Sequence, residues 1–306
     1  MDHFREVAAR LQGPLVPLMI PFKEDDSMDW EALGKFVNWV VEQGVPMMWL
    51  TPGTSQYYIL TGQEIRDLTR CIAEANAGRA VFIASTKPWP VHECIDFVDY
   101  CREVGADVVK VIVDWGRGPG EDELFEFYRQ IAQATDFPLL AYTLGAPGLS
   151  PALAARLAEL PQLIGLKNDT NDHEGHAAYL QACGPGFVPI TGGMMRPIFW
   201  GWDFGARAFA DILTLFRPEI SLAFFHHMQR GELAEAAAIM HNYEDVLYPA
   251  FRQIGNFKSC AKAGLWLTGH YPTARMRLPF RAASPEEILK VREVLERLEI
   301  PVVVSP

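Results

Sequence analysis

A lysine at the end of an apolar run is the first residue in this chain whose setting suggests chemistry. Leu163-Ile164-Gly165-Leu166-Lys167-Asn168-Asp169 lies between Pro161 and a polar Asn-Asp-Thr-Asn cluster, so it reads as a buried strand from which Lys167 emerges. An ammonium held against apolar surroundings loses hydration, its pKa falls, and the free amine becomes a nucleophile toward carbonyls. The competing account is a strand-end lysine whose head snorkels to water while its stem stays buried.

Three further stretches carry polar groups that could serve such a nucleophile. Thr51-Pro52-Gly53-Thr54-Ser55 follows an apolar run and offers backbone N–H groups beside hydroxyls, which suits an anion such as a carboxylate; it is also an ordinary turn composition. Tyr142 closes Pro138-Leu139-Leu140-Ala141 with a phenol able to pass protons, or serves as a buried structural tyrosine. Gly192-Gly193 after Thr191 leaves room for a ligand beside the backbone, or makes a tight turn. His173-x-x-His176 and His226-His227 lack a third ligand at helpful spacing, so no metal site is expected and these histidines read as surface residues.

The elements that must position these groups alternate in type. Strand-like runs occur at Leu15 to Ile20, Pro46 to Thr51, Ala80 to Ser85, Asp107 to Val113, Pro138 to Tyr142, Leu163 to Lys167, Val188 to Thr191 and Ala206 to Ala210. Helical spacing separates them, as in Trp30 to Val41 behind the N-cap Asp29, about Gly62 to Ala77 and about Val91 to Val104. About eight such βα units predict an α/β fold with a closed (β/α)8 TIM barrel, whose chemistry collects in the loops after the strands. An open doubly wound sheet is the competitor, disfavoured because no Gly-x-Gly-x-x-Gly turn follows the first strand. Residues 1–215 are expected to form the barrel with its active site. Residues 216–306 are expected to be a helical extension packed on it, with helices at Glu219 to Met228, Leu233 to Phe251, Phe257 to Thr268 and Pro285 to Leu298.

Composition narrows the partners. With 306 residues, 49% hydrophobic and 21% charged, the chain can bury a large core. A formal net charge of −11 disfavours nucleic acid or an anionic membrane and leaves small molecules. Five scattered cysteines without a Cys-x-x-Cys pair indicate neither a disulfide framework nor a zinc knuckle, and a reducing cytoplasm fits them. No apolar stretch approaches the ~18 residues of a membrane span, and the first residues lack an apolar signal core.

The combination resembles the dihydrodipicolinate synthase and N-acetylneuraminate lyase superfamily, the pyruvate-type class I aldolases, from about Gly13 to Pro279. The run from Pro14 to Phe22 with Asp25-Asp26-Ser27-Met28-Asp29 looks like the family's opening strand and acidic turn. Gly53-Thr54-Ser55 looks like its carboxylate loop, and Leu60-Thr61-Gly62-Gln63-Glu64 is similar to the helix start that follows. Tyr142 matches the family tyrosine and Gly165-Leu166-Lys167-Asn168 its Schiff-base segment.

The resemblance implies a lyase acting on a pyruvate-like 2-oxo acid without a cofactor or metal, in aldol cleavage, condensation or a related dehydration. Lys167 would form the imine, Tyr142 in contact with Ser55 would shuttle protons, and Thr54 and Ser55 with their backbone amides would hold the carboxylate, beside Gly53, Gly192 and Gly193. A homotetramer built as a dimer of dimers is implied as well.

The departures carry expectations of their own. Gln56-Tyr57 replaces the usual Gly-Glu, which reshapes the loop's exit. Val113-Asp114-Trp115-Gly116 stands where the synthase branch carries a tyrosine pair, and Trp115 cannot relay a hydroxyl proton. Thr143-Leu144-Gly145-Ala146-Pro147 replaces Asn-x-Pro, and no arginine lies between Thr143 and Ala155 to grip a semialdehyde. Dihydrodipicolinate synthesis itself is therefore not expected. Trp89, Trp115, Met194 and Met195 are expected on one rim, suiting a less polar second substrate. Two other classes stay open: a catalytically degenerate barrel that binds or senses a small 2-oxo acid, and a metal-dependent or phosphate-binding barrel in which Lys167 contacts phosphate.

Overall fold

Eight apolar runs pair edge to edge in chain order. A computed structural model describes residues 2–113, 118–143, 149–169 and 173–305; the expectations resting on Asp114-Trp115-Gly116 and on Leu144 to Pro147 lie outside them. The strands are β1 (Gly13–Pro17), β2 (Met47–Trp49), β3 (Val81–Ser85), β4 (Val108–Val113), β5 (Leu139–Thr143), β6 (Leu163–Asn168), β7 (Val188–Thr191) and β8 (Ala208–Ala210). All neighbours are parallel and β8 returns to β1, so the sheet is a closed (β/α)8 barrel. Parallel strands covered on both faces are apolar throughout, and this is why the runs stood out in the sequence.

Around them the described helices are α1 (Asp2–Arg10), α2 (Trp30–Glu42), α3 (Gly62–Asn76), α4 (Val91–Val104), α5 (Glu121–Ala134), α6 (Pro151–Ala158), α7 (His173–Cys183) and α8 (Arg196–Gly201). Past β8 the chain continues into α9 (Pro218–Arg230), α10 (Leu233–Ile239), α11 (Asp245–Ile254), α12 (Phe257–Leu267) and α13 (Pro285–Arg297), with α9 against β1. One apolar cluster, including Leu15, Met47, Val81, Leu140 and Ile190, fills the barrel; Phe4, Val7, Ala8 and Leu11 of α1 and its C-terminal edge join it and plug the mouth at the strands' N-terminal ends. A larger cluster lies between strands and helices.

Three local departures from the sequence reading have identifiable causes. The first strand ends at Pro17 rather than Ile20, because the next carbonyls are taken by side chains: Leu18 O by Ser55, Met19 O by the Tyr271 hydroxyl and Ile20 O by Lys262. The stretch from Leu233 to Phe251 is not one regular helix. Met240–Glu244 forms a π-helical turn between α10 and α11, and Pro249, which lacks an N–H, lies inside α11. His176 is buried rather than at the surface, its Nδ1 3.1 Å from Nδ2 of Asn168.

Candidate active site

The direction in which Lys167 points is set by a one-residue irregularity in β6. Leu139 pairs with Leu163 but Leu140 pairs with Gly165, so Ile164 is an extra residue, a β-bulge. Without it, strict alternation from the helix-facing Leu163 would turn Lys167 toward the helices; with it, Lys167 faces the barrel interior. Gly165 is needed at the bulge, since a Cβ there would lie 2.2 Å from the Val188 carbonyl oxygen of β7.

Lys167 is only 8% exposed. Its Nζ donates to Asp169 Oδ2 at 2.8 Å, Thr51 Oγ1 at 3.0 Å and the Tyr142 hydroxyl at 3.2 Å, which satisfies all three ammonium protons. The rings of Tyr142 and Trp49 lie 4.3 and 5.1 Å from the same nitrogen. Burial pulls its pKa below that of an ordinary lysine and the nearby Lys258 ammonium adds to this, while Asp169 opposes both by charge and hydrogen bond. A second barrel lysine, Lys110, lies fully buried over the Trp49 ring, donating to Leu50 O at 2.8 Å, and burial drives its pKa down as well.

Tyr142 and Asp169 complete the group. The Tyr142 hydroxyl donates to Asp169 Oδ2 at 2.5 Å, so one carboxylate oxygen receives both the phenol and the lysine. The strand end that carries Tyr142 is pinned by Tyr128 of α5, whose hydroxyl accepts from Tyr142 N at 3.0 Å and lies 3.1 Å from its carbonyl oxygen. Asp169 reaches this position over a residue with no side chain, because a Cβ at Gly192 would lie 1.5 Å from Asp169 Oδ1.

The loop after β2 differs from expectation at Ser55. Its hydroxyl, expected against Tyr142, donates to Leu18 O at 2.6 Å and accepts from Thr51 N at 3.1 Å, so it braces β1 and the loop with its one proton already committed. Thr51 is the loop hydroxyl that reaches the lysine. Thr54 has a buried Oγ1 with no hydrogen-bond partner among the described residues. Gln56 and Tyr57 fasten the loop's exit: Gln56 donates to Arg277 O at 3.1 Å, and the buried Tyr57 hydroxyl donates to Ser85 O.

These residues open onto a cavity of about 370 Å³ at the C-terminal ends of the strands, which Lys167, Tyr142, Gly53, Thr54, Gly192 and Gly193 help to line. Its far wall comes from β8 and the C-terminal helices, through Asp211, Tyr248, Phe257 and Lys258. Asp211 is buried and pushed up to about 6 by desolvation, although Ser221, Leu213 N and the Tyr248 hydroxyl all donate to it. Behind it Glu244, in the π-helical turn, accepts from Met195 N and is pushed up to about 8, first by burial and then by the Asp211 charge. The expected rim of Trp89, Met194 and Met195 is not part of this wall; Met195 is fully buried, and Trp89 packs on Phe97. A second cavity, of about 380 Å³, lies against Ala8 and Leu11 at the opposite end of the barrel.

Asp169, Thr51, Trp49, Asp211, Tyr248 and Lys258 were not singled out from the sequence. Asp169 had a signal, an acid two residues beyond the strand-end lysine; the residues from β8 onward had none. Among the described residues no cluster of three or more His, Cys, Asp or Glu side chains could hold a metal ion, and no helix is long and apolar enough to cross a membrane.

Comparison with known proteins agrees with the barrel fold. The model of the dihydrodipicolinate synthetase family matches residues 10–298. The 4-hydroxy-tetrahydrodipicolinate synthase of Aquifex aeolicus (strain VF5) is 25% identical over 296 residues, 95% of this chain and 98% of the relative. A prophage protein of the dihydrodipicolinic acid synthase family from E. coli K12, solved in complex with pyruvate, superposes with a TM-score of 0.87 at 18% identity, covering 95% of this chain and 99% of that one. N-acetylneuraminate lyase from Mycoplasma synoviae superposes with a TM-score of 0.83 at 21% identity, covering 95% and 98%.

Proposed function

Because this chain belongs to the dihydrodipicolinate synthetase family, within a superfamily of pyruvate-dependent class I lyases, we propose that Lys167 forms a Schiff base with a pyruvate-like 2-oxo acid. The observation that carries this reading is the Lys167 amine, buried and within hydrogen-bond reach of both Tyr142 and Asp169 at the floor of an open cavity. With its pKa lowered, the amine gives up a proton and its lone pair attacks the ketone carbon. The C–N bond forms as the carbonyl π electrons move to oxygen, and Tyr142 passes a second proton from the nitrogen to that oxygen, giving a neutral carbinolamine. Tyr142 hands its proton to the departing oxygen, water leaves, and the nitrogen lone pair closes the iminium. Asp169, bonded to both groups, takes the lysine proton and resupplies the phenol. The iminium then draws in the electron pair of a neighbouring C–H or C–C bond, which serves cleavage, condensation or dehydration alike.

Borohydride reduction in the presence of pyruvate tests the assignment, since it converts the reversible imine to a stable amine. The adduct is expected on the peptide containing Lys167 and absent in Lys167→Ala. Tyr142→Phe is expected to slow turnover by about 10²-fold or more while trapping persists at long times. An adduct on Lys87, Lys110 or Lys262, or full activity of Lys167→Ala, overturns the reading.

The chain is proposed not to be a dihydrodipicolinate synthase, on the sequence grounds of Trp115 and of the missing arginine between Thr143 and Ala155. Robust condensation of pyruvate with aspartate semialdehyde overturns that. A homotetramer is proposed with it, and light scattering that gives a concentration-independent monomer contradicts it. One observation favours a second reading, a barrel that binds a 2-oxo acid without turnover: the Ser55 hydroxyl is committed to Leu18 O and does not extend the Tyr142 relay. Trapping without any turnover of aldol or dehydratase substrates supports that reading.

A further inference from the structure

We propose that Lys258 is the counter-ion for the substrate carboxylate, so that the C-terminal helices complete a binding site otherwise built from barrel loops. The proposal rests on the reading of the cavity as a 2-oxo acid site. Lys258 stands in the first turn of α12, where Asn256 caps the helix by accepting from Lys258 N and Ser259 N at 3.0 and 3.4 Å. That cap fixes the helix start at the cavity edge, and the side chain runs back over the loop after β2.

There it meets a glycine. From the position a Cβ at Gly53 would take, Lys258 Cε is 3.4 Å and Nζ 3.6 Å away, so the lysine covers the face that Gly53 leaves open. The side chain is half-buried, lines the same cavity as Lys167, and forms no ion pair among the described residues. Two half-buried arginines of the segment after α12 do have acid partners: Arg277 holds Glu64 at 2.6 Å and Arg275 holds Asp26 at 2.8 Å. A partly desolvated ammonium without a counter-ion is costly unless something anionic joins it.

A second, independent feature sits on the same loop. Thr54 lines the cavity, and its Oγ1 is buried without a hydrogen-bond partner among the described residues. A vacant hydroxyl on the residue after Gly53 and an unpaired cation over Gly53 itself suit the two oxygens of a carboxylate, which accepts from both. Lys167 in the same cavity requires a carbonyl on the same molecule, and a 2-oxo acid carries that carbonyl on the carbon next to its carboxylate.

Borohydride trapping at Lys167, followed as a function of ligand concentration, separates this role from a structural one. The probes are pyruvate and hydroxyacetone, a neutral ketone of similar size, with wild type, Lys258→Gln and Lys258→Arg, each checked for fold by circular dichroism. For Lys258→Gln the half-saturating pyruvate concentration is expected to rise by about 10- to 100-fold, the usual scale for one lost charge-assisted contact, with hydroxyacetone nearly unchanged. Lys258→Arg is expected to restore most of the pyruvate affinity. An equal loss for both probes, or no loss for pyruvate, overturns the role of Lys258 alone. Absence of any wild-type adduct overturns the 2-oxo acid reading and this proposal together.

Discussion

The carboxylate of Asp169 occupies the volume that a side chain at position 192 would need, with Oδ1 1.5 Å from the place of the missing Cβ. Asp169 follows the end of β6 and Gly192 the end of β7, so the fit between them decides whether the acid can stand beside Lys167 and Tyr142. Gly192→Ala is therefore expected to push Asp169 out of contact with both. The backbone at 192 is not left-handed, so the added methyl acts through the clash alone. Activity should fall by about 10²-fold or more, on the scale of a lost proton-transfer group, while the far-ultraviolet spectrum stays that of wild type. An active Gly192→Ala enzyme would show that Asp169 is dispensable.

The charges around Lys167 predict opposite shifts in pH dependence. Asp169 holds the lysine pKa up and Lys258 holds it down, within a net depression caused by burial. Asp169→Asn should lower that pKa further and move the acid limb of imine formation to lower pH. Lys258→Gln should move it to higher pH. The pH profile of initial trapping rate checks both, and a shift of the same sign in the two variants contradicts this electrostatic account.

A third expectation concerns stability. The Glu244 carboxyl is raised from an unfolded value near 4.5 to about 8 by burial and by Asp211. The folded state thus holds a proton that the unfolded chain releases, and this contribution is complete below pH 4.5 and lost as pH rises through about 8. Denaturant unfolding should show stability declining across that window, by on the order of 1 kcal/mol per pH unit where the difference is largest. Glu244→Gln, neutral throughout, should flatten the decline; an unchanged slope would place its origin elsewhere.

The barrel was legible because each strand is buried on both faces and so reads as an apolar run, and Val188–Thr191 and Val91–Val104 have the bounds that their patterns predict. Helix α1 was overlooked although Phe4, Val7, Ala8 and Leu11 already showed helical spacing; the segment is short and otherwise polar. Lys167 and Tyr142 declare themselves by closing apolar runs, one residue before each strand ends. Asp169 does not, because its orientation depends on the bulge at Ile164 and its room on Gly192 of another strand. Ser55 and Thr51 could not be told apart by type, and only the loop's folding over Leu18 gives one the bracing role and the other the lysine. Lys258 comes from a helix whose packing over the barrel mouth has no local signature.

The extra residue in β6 makes the reactivity of this protein a matter of counting. Deleting Ile164 would only restore regular pairing with β5 and leave Lys167 facing inward, whereas deleting Leu166, past the bulge, would keep every polar side chain of the chain yet rotate the strand's exit by half a turn and present the amine to the helix layer. A point substitution weakens such a site by degrees; a single-codon deletion there would exchange a barrel with an amine in its cavity for one of the same topology without it. The chemistry proposed for Lys167 can thus vanish in one step while the scaffold persists, and the short span between the bulge and the lysine is where that step would act.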